Sequence, residues 1–264
     1  ATDWSAALAG IETVVHSAAR VHVLNDPDNK PLDAFRRVNV DATVQLARQA
    51  AAAGCKRFVF ISTIGVVGSV SDVPLCEINQ PKPKTAYACS KWEAEQALQK
   101  VAQETGLPIV ILRPPLVYGA GVKANFFMFI QVAISGSPLP LGRVHNSRDF
   151  LSVANLCNAV ELCLTHADAV GQTYHLCDGQ PVSTAKLITL LSEAAGRKPN
   201  LLPVPQILLT AGSIILRKTA TYNSVCRSLR VDDTKLRTQL GWRSPQTLGD
   251  GIAQVVQWYQ EKAK

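Results

Sequence analysis

The stretch Arg57-Phe58-Val59-Phe60-Ile61-Ser62-Thr63 carries a run of apolar residues closed by two hydroxyl side chains. Phe58 to Ile61 lack the polar alternation of a half-solvated strand, so they read as a strand buried on both faces, the pattern of a parallel sheet. Comparable β-branched runs bounded by turn residues stand at Thr13–His16 and Pro108–Arg113, with longer stretches of helical spacing between the three. The first such stretch, Pro31 to Ala53, opens with proline at a first-turn position and ends at Gly54; the second, about Thr85 to Glu104, closes before Gly106 and Pro108. Strands joined through helices must return in the same direction. The expected fold is therefore α/β, a parallel sheet with helices on both faces. Such sheets take ligands at the carboxyl ends of their strands, here His16-Ser17-Ala18-Ala19, Ser62-Thr63 and Arg113-Pro114-Pro115.

After Gly119 the alternation becomes less regular, with helices expected near Lys123–Ser135, Thr184–Ala195, Asp233–Leu240 and Leu248–Glu261. This predicts a first domain over residues 1–120 and a smaller lobe over 121–264, some segments of which return to the first domain. The apolar run Leu201 to Leu216 contains Pro203 and Pro205 and is too short to span a bilayer; it reads as a buried helix, with peripheral membrane contact as the alternative. Gly65-Val66-Val67-Gly68 lacks a third glycine and a following helix, so it reads as an ordinary turn rather than a phosphate-binding loop.

With 264 residues, 47% of them hydrophobic and 18% charged, the chain is long and apolar enough for a sizeable core. The net charge of +7 raises the question of an anionic partner. The densest basic cluster, Arg217, Lys218, Arg227 and Arg230, has only Tyr222 among its aromatics, which argues against a nucleic-acid face; a phosphorylated small molecule would need only one or two of these charges, and the rest read as a basic surface. Seven cysteines (55, 76, 89, 157, 163, 177 and 226) are scattered without a CxxC pair or zinc spacing. They are expected to be reduced thiols of a cytoplasmic protein with no metal site. No segment reads as a signal peptide or an integral membrane span.

Tyr87 and Lys91 are four residues apart at the start of a predicted helix, which puts both on one face within reach of a common ligand. An ammonium beside a phenol favours the phenolate, so a lowered Tyr87 pKa is expected, as general-base chemistry requires. The Tyr-x-x-x-Lys spacing also arises by chance on exposed helices. Thr63, at a strand end, could hydrogen-bond a reacting oxygen, or could simply be a β-branched strand terminus.

The order His16-Ser-Ala-Ala19, Val38-Asn-Val40, Phe58-Val-Phe-Ile-Ser-Thr63 with Gly68, Tyr87-x-x-x-Lys91 and Leu112-Arg-Pro-Pro-Leu-Val-Tyr-Gly119 resembles the extended short-chain dehydrogenase/reductases. Within them it is similar to the NAD-dependent nucleoside-diphosphate-sugar epimerases and dehydratases, UDP-glucose 4-epimerase among them. The likeness continues through Asn125, Arg148-Asp149-Phe150 and Asp232-x-x-Lys235 to Leu240-Gly-Trp242. It implies a Rossmann-like sheet, with Tyr87 as catalytic base, Lys91 on the nicotinamide ribose, and Thr63 polarising the sugar hydroxyl. Ser17, Ala18, Ala19, Arg20, Ser62, Pro114 and Pro115 would line the cofactor, NAD or NADP, although for His16 a packed core role is favoured. Asn125, Pro140 and Arg148 would hold the UDP-sugar, Arg148 at the pyrophosphate and Pro138-Leu-Pro-Leu-Gly142 along the base. The alternative for Arg148 is an ion pair with Asp149. A homodimer through the two long helices of the first domain, with the Ala47–Ala53 face in the packing, is also implied.

The resemblance places the glycine loop, the acidic ribose ligand and the first strands before residue 1, a matter of about 60 residues for two βα units. On that basis the Rossmann-like domain is expected to be N-terminally incomplete and the 264-residue chain alone to bind NAD weakly. Val67 stands where a Tyr often precedes Gly68, and Leu116 where many hexose 4-epimerases have Asn. Three readings follow: a 4-epimerase of a UDP-hexose or UDP-N-acetylhexosamine working through a 4-keto intermediate and bound NAD, an NAD(P)H-dependent C4 ketoreductase of a UDP-4-keto sugar, and a cofactor-free sugar-nucleotide-binding or regulatory protein.

Overall fold

The computed structural model describes residues 2–21 and 31–262. In chain order its elements are α1 (Ser5–Leu8), β1 (Thr13–His16), α2 (Pro31–Arg36), a π-helical turn (Arg37–Asp41), α3 (Ala42–Ala52), β2 (Arg57–Ile61), β3 (Ser71–Leu75), α4 (Ala86–Thr105), β4 (Ile109–Arg113) and β5 (Leu116–Tyr118). The second half supplies α5 (Ala124–Ser135), β6 (Phe150–Ser152), α6 (Val153–Thr165), β7 (Thr173–His175), α7 (Thr184–Ala194), α8 (Gln206–Ile215), α9 (Thr219–Cys226), β8 (Leu229–Val231), α10 (Thr234–Leu240) and α11 (Leu248–Lys262).

The central sheet runs β1-β2-β4-β7, all parallel, with Phe58 in register between Val14 and Ile109. Side chains alternate across it, as the two-residue strand period requires. Phe58, Phe60, Ile109 and Ile111 pack against α3 and α4 through Ala47, Ala50, Ala94, Leu98 and Val101. Val59, Val110 and Leu112 face the other way onto Ala159 and Cys163 of α6 and Leu236 and Leu240 of α10. Both faces are thus covered, so strands without polar alternation are stable, and burying a side chain the size of Phe58 contributes about 1.5–3 kcal/mol. Arg57 is no exception to the apolar rule: its guanidinium turns back and donates to the carbonyls of Cys163 and His166 at the end of α6, where a cation suits the helix dipole.

A second apolar cluster joins Tyr118 of β5, Phe126 and Ile130 of α5, Leu187 and Leu191 of α7, and Ile252 and Val255 of α11. The short pair β5–β6 links this cluster to the sheet through Phe150 and Leu151, and the pair β3–β8 packs with Ile64 and Cys177 in a small cluster of its own. The expected helices form within one or two residues of their predicted ends. The 31–53 stretch differs in being interrupted by the π turn, where Ala42 N–H bonds to the carbonyl of Arg37. Ala47 and Ala50, proposed for subunit packing, are consumed inside the chain's own core. The 201–216 run corrects expectation more sharply: α8 forms, but Ile207, Leu208, Ile214 and Ile215 face solvent rather than the core, and only Leu209 among its large aliphatic side chains is half-buried.

At the carboxyl end of β7, His175 is fully buried, with burial pushing its pKa down to about 4 from the usual 6.5. Its Nδ1 lies 2.9 Å from the Leu75 carbonyl, which can only accept, so Nδ1 carries the hydrogen, and among the described residues Nε2 meets no hydrogen-bond partner. A histidine held neutral this way stabilises the fold fully above about pH 6.5 and loses that contribution as pH falls through about 4. The stability gap between wild type and His175→Gln should therefore shrink by about 2 kcal/mol between pH 6.5 and about pH 5 in urea titrations; gaps that stay constant across that window would remove His175 from the acid response.

Candidate active site

Helix α4 begins at Thr85, whose hydroxyl accepts from Ala88 N at 3.1 Å, and ends at Gly106 in the left-handed conformation. This cap fixes where the first turn of α4 starts, and so sets the direction of Tyr87 and Lys91. Lys91 is 1% exposed; its Nζ donates to the Ile61 carbonyl at 2.7 Å, at the end of β2, and lies 4.3 Å from the centre of the Phe60 ring. Burial lowers its pKa to about 8, which leaves it charged at neutral pH. The Tyr87 ring meets Phe35 of α2 edge-on at 6.4 Å, and the Arg20 guanidinium lies over the other partner in that stack, 5.5 Å from the Phe35 ring centre.

The expected depression of the Tyr87 pKa is not what the chain's own groups produce. Burial pushes the phenol up to about 12. Removing water from around the phenolate costs more than the Lys91 ammonium returns, because that ammonium is directed at Ile61 and Phe60. The phenol is thus a proton donor at neutral pH, and becomes a base only if further positive charge is brought beside it.

Thr63 follows β2 and accepts from Gly65 N at 3.1 Å, capping the 3-10 turn Ile64–Val66 and leaving its own hydrogen to donate outward. The backbone around it is pinned to β4 by Ser62 N to Leu112 O at 2.7 Å and Ile64 N to Pro114 O at 2.9 Å. Pro114 and Pro115 are buried next to this junction. The Ser62 hydroxyl donates to Glu95 of α4, and Arg113 grips both oxygens of the same carboxylate at 2.5–3.2 Å. Glu95 and Arg113 are 0% and 6% exposed, so this buried pair holds α4 against the ends of β2 and β4.

The segment after β1 passes the same region, with Ser17 and Ala18 exposed and Ala19 and Arg20 half-buried. It is held by a residue whose part spacing alone did not disclose. Asn39, on the π turn and fully buried, accepts from Arg20 N at 2.7 Å and donates to Arg20 O at 3.0 Å and to the Ser90 hydroxyl at 2.9 Å. One amide thereby fixes the post-β1 segment to the Tyr87 helix. His16 takes the packed role favoured for it, with Nε2 2.8 Å from Thr43 Oγ1 and the ring stacked on Phe60.

In the second lobe, Arg148 is buried between Val182 and the start of β8, and its Nη1 donates to the Arg227 carbonyl at 2.7 Å. The alternative ion pair with Asp149 does not form: neighbouring side chains leave an extended backbone on opposite sides, and Asp149 instead accepts from Val231 N. Among the described residues no carboxylate pairs with Arg148, and desolvation draws its pKa down to about 10. Asn125 is exposed in the first turn of α5, and Pro140 is exposed in a segment tied to Asn200 and Leu202 by backbone bonds. Among the described residues no hydrogen bond links either to the Tyr87 group. All seven cysteines are free thiols, and no cluster suited to a metal ion occurs among the described residues.

A parallel α/β sheet with Thr63 just past the carboxyl end of β2, and Tyr87 and Lys91 on the first turns of α4 facing that end, is the arrangement of an enzyme of the extended short-chain dehydrogenase/reductase type. Residues 1–177 match the NAD dependent epimerase/dehydratase family, and the chain belongs to that family. It is 37% identical over 259 residues to the UDP-glucose 4-epimerase of Vibrio cholerae, an alignment covering 97% of this chain and 79% of that protein. Among solved structures, MoeE5 in complex with UDP-glucose and NAD is similar with a TM-score of 0.79 at 25% identity, covering 100% of this chain and 84% of that one. The fold is also that of the UDP-glucuronic acid 4-epimerase of Bacillus cereus in complex with NAD, with a TM-score of 0.80 at 22% identity over 100% of this chain and 79% of that one.

Proposed function

We propose that the chain is a nucleotide-sugar 4-epimerase acting on a UDP-hexose or UDP-N-acetylhexosamine, with residues 1–120 serving the cofactor and 121–264 mainly the sugar nucleotide. The observation that carries this reading is the buried Lys91 one turn from Tyr87 and at the end of β2, beside Thr63. An ammonium has three donors, and among the described residues it meets one hydrogen-bond acceptor and an aromatic face. That arrangement fits the ribose hydroxyls of a nicotinamide nucleotide, which a purely structural lysine would not need. When bound, NAD supplies the hydride acceptor and donor for the sugar carbon.

Tyr87 takes the proton of the sugar C4 hydroxyl and later returns it, while Thr63 donates a hydrogen bond to the same oxygen. Lys91 opposes the burial that keeps the phenol protonated, and the positive charge of an oxidised nicotinamide works in the same direction. Ser62 supports the site through Glu95. Pro114 and Pro115 close the nicotinamide end, and Ser17, Ala18, Ala19 and Arg20 follow the cofactor. Asn125, Pro140 and Arg148 bind the nucleotide, and the buried, carboxylate-free guanidinium of Arg148 supports a diphosphate partner. Arg148→Ala is expected to weaken UDP binding about 10–100-fold in calorimetry, since a hydrogen bond to a charged group is worth about 1.5–3 kcal/mol. Unchanged affinity would place the diphosphate elsewhere. The assembly we infer is a homodimer that uses the outer face of α3 and α4.

The reaction itself is tested by incubation with UDP-glucose and catalytic NAD. Accumulation of the 4-epimer supports the reading. Stoichiometric consumption of NAD(P)H with a UDP-4-keto sugar, and no isomerisation, would identify a C4 ketoreductase instead.

A further inference from the structure

Helix α8 is inside out. At about 100° per residue, Ile207, Leu208, Ala211, Ile214 and Ile215 fall on a single stripe of about 120°, and that stripe faces solvent. Ile207, Leu208, Ile214, Ile215 and the following Leu216 are 60% to 79% exposed. The opposite side carries the buried Ser213, the half-buried Leu209 and Thr210, and at its edge the exposed Gln206; the Thr210 hydroxyl and Gln206 amide reach the Tyr222 hydroxyl of α9 at 2.8 Å and 3.3 Å. A helix adapted to water presents the opposite arrangement. Five large aliphatic side chains clustered on one exposed element form the kind of patch that marks a contact surface.

The surrounding charge identifies what covers it. Residues 194–231 contain Arg197, Lys198, Arg217, Lys218, Arg227 and Arg230 and no acidic residue. Arg217 and Lys218 are exposed at the end of the apolar stripe, and Arg197, Lys198 and Arg227 are exposed beyond it. A second copy of this surface would bring like charges together, whereas an anionic lipid headgroup layer complements both the aliphatic stripe and its cationic rim. With ten residues α8 is too short to cross a bilayer and suits lying along its surface.

We propose that α8 and the Arg217-Lys218 corner dock the protein on an anionic lipid bilayer. The docked element is wired to the second lobe: the carbonyl of Arg227, just past α9, accepts from Arg148, and Leu202, just before α8, bonds to Gly142. Docking would thus hold the lobe that carries Arg148 at a fixed height above the membrane. The proposal does not depend on which sugar, or which reaction, the site serves.

The test is co-sedimentation of the full chain with vesicles of phosphatidylcholine alone and of phosphatidylcholine containing phosphatidylglycerol. Binding is expected on the anionic vesicles, falling as salt is raised. The double variant Arg217→Glu/Lys218→Glu should reduce it at least about tenfold, and Ile214→Asp/Ile215→Asp should abolish it while circular dichroism stays that of the wild type. A chain that stays in the supernatant with both vesicles overturns the proposal. So does an aspartate variant that converts a dimer to a monomer without changing vesicle binding, since the stripe would then belong to a second copy.

Discussion

Replacing Tyr87 by Phe is expected to lower the rate of UDP-glucose isomerisation by about 10²–10⁴-fold, the contribution of a positioned acid or base. UDP affinity should stay within about twofold, because the nucleotide-binding residues proposed above lie in the other lobe. The effect should be large because, among the described residues, the side chains beside Tyr87 are not ones that can substitute. Lys91 is already a cation directed at Ile61 and Phe60, and Thr63 can share a hydrogen bond but cannot take up a proton at neutral pH. The ring contact with Phe35 is retained in the variant, so the fold should not confuse the result. A rate close to that of the wild type would displace Tyr87 from proton transfer altogether.

Replacing Glu95 by Ala should produce the largest loss of stability. It leaves the Arg113 guanidinium, 6% exposed, and the Ser62 hydroxyl without their carboxylate. An uncompensated buried charge costs about 3–5 kcal/mol, which for a chain of this size lowers the melting temperature by about 6–20 °C. The paired replacement Glu95→Leu/Arg113→Met removes both charges at similar volume and should restore much of the loss. Calorimetric melting of the three proteins decides the matter; a Glu95→Ala chain that melts with the wild type would mean that the pair is solvated and does not clamp α4 to the sheet.

Much of this architecture could be read from the chain. Strands β2 and β4 are written without polar alternation because both faces are covered, and α4 carries its own punctuation in Thr85 and Gly106. The four-residue spacing of Tyr87 and Lys91 likewise survives translation into space. What could not be read depends on partners remote in sequence. Strands β5, β6, β7 and β8 are three residues each, too short to show a period, and exist because of their neighbours. The direction of the Tyr87 pKa turns on desolvation by the surrounding fold, Phe35 of another helix included, and not on the adjacent lysine. Arg148 and Asp149 look like an ion pair on paper, yet extended backbone sends them to opposite sides. The apolar count of α8 suggested burial, because hydrophobicity says that a surface avoids water without saying what it meets instead.

The π turn at Arg37–Asp41 sets a limit on how this protein can change. One extra residue in that turn rotates everything after it by about 100° relative to a regular helix, and Asn39 sits where the surplus is absorbed, with its amide spanning Arg20 and Ser90. A regular helix and an Asn39 aimed at both partners are mutually exclusive. A shortening that would improve the helix by ordinary measures would cut the stitch between the strand β1 exit and the Tyr87 helix. The irregularity is therefore a fixed length that the segment cannot trade for local order.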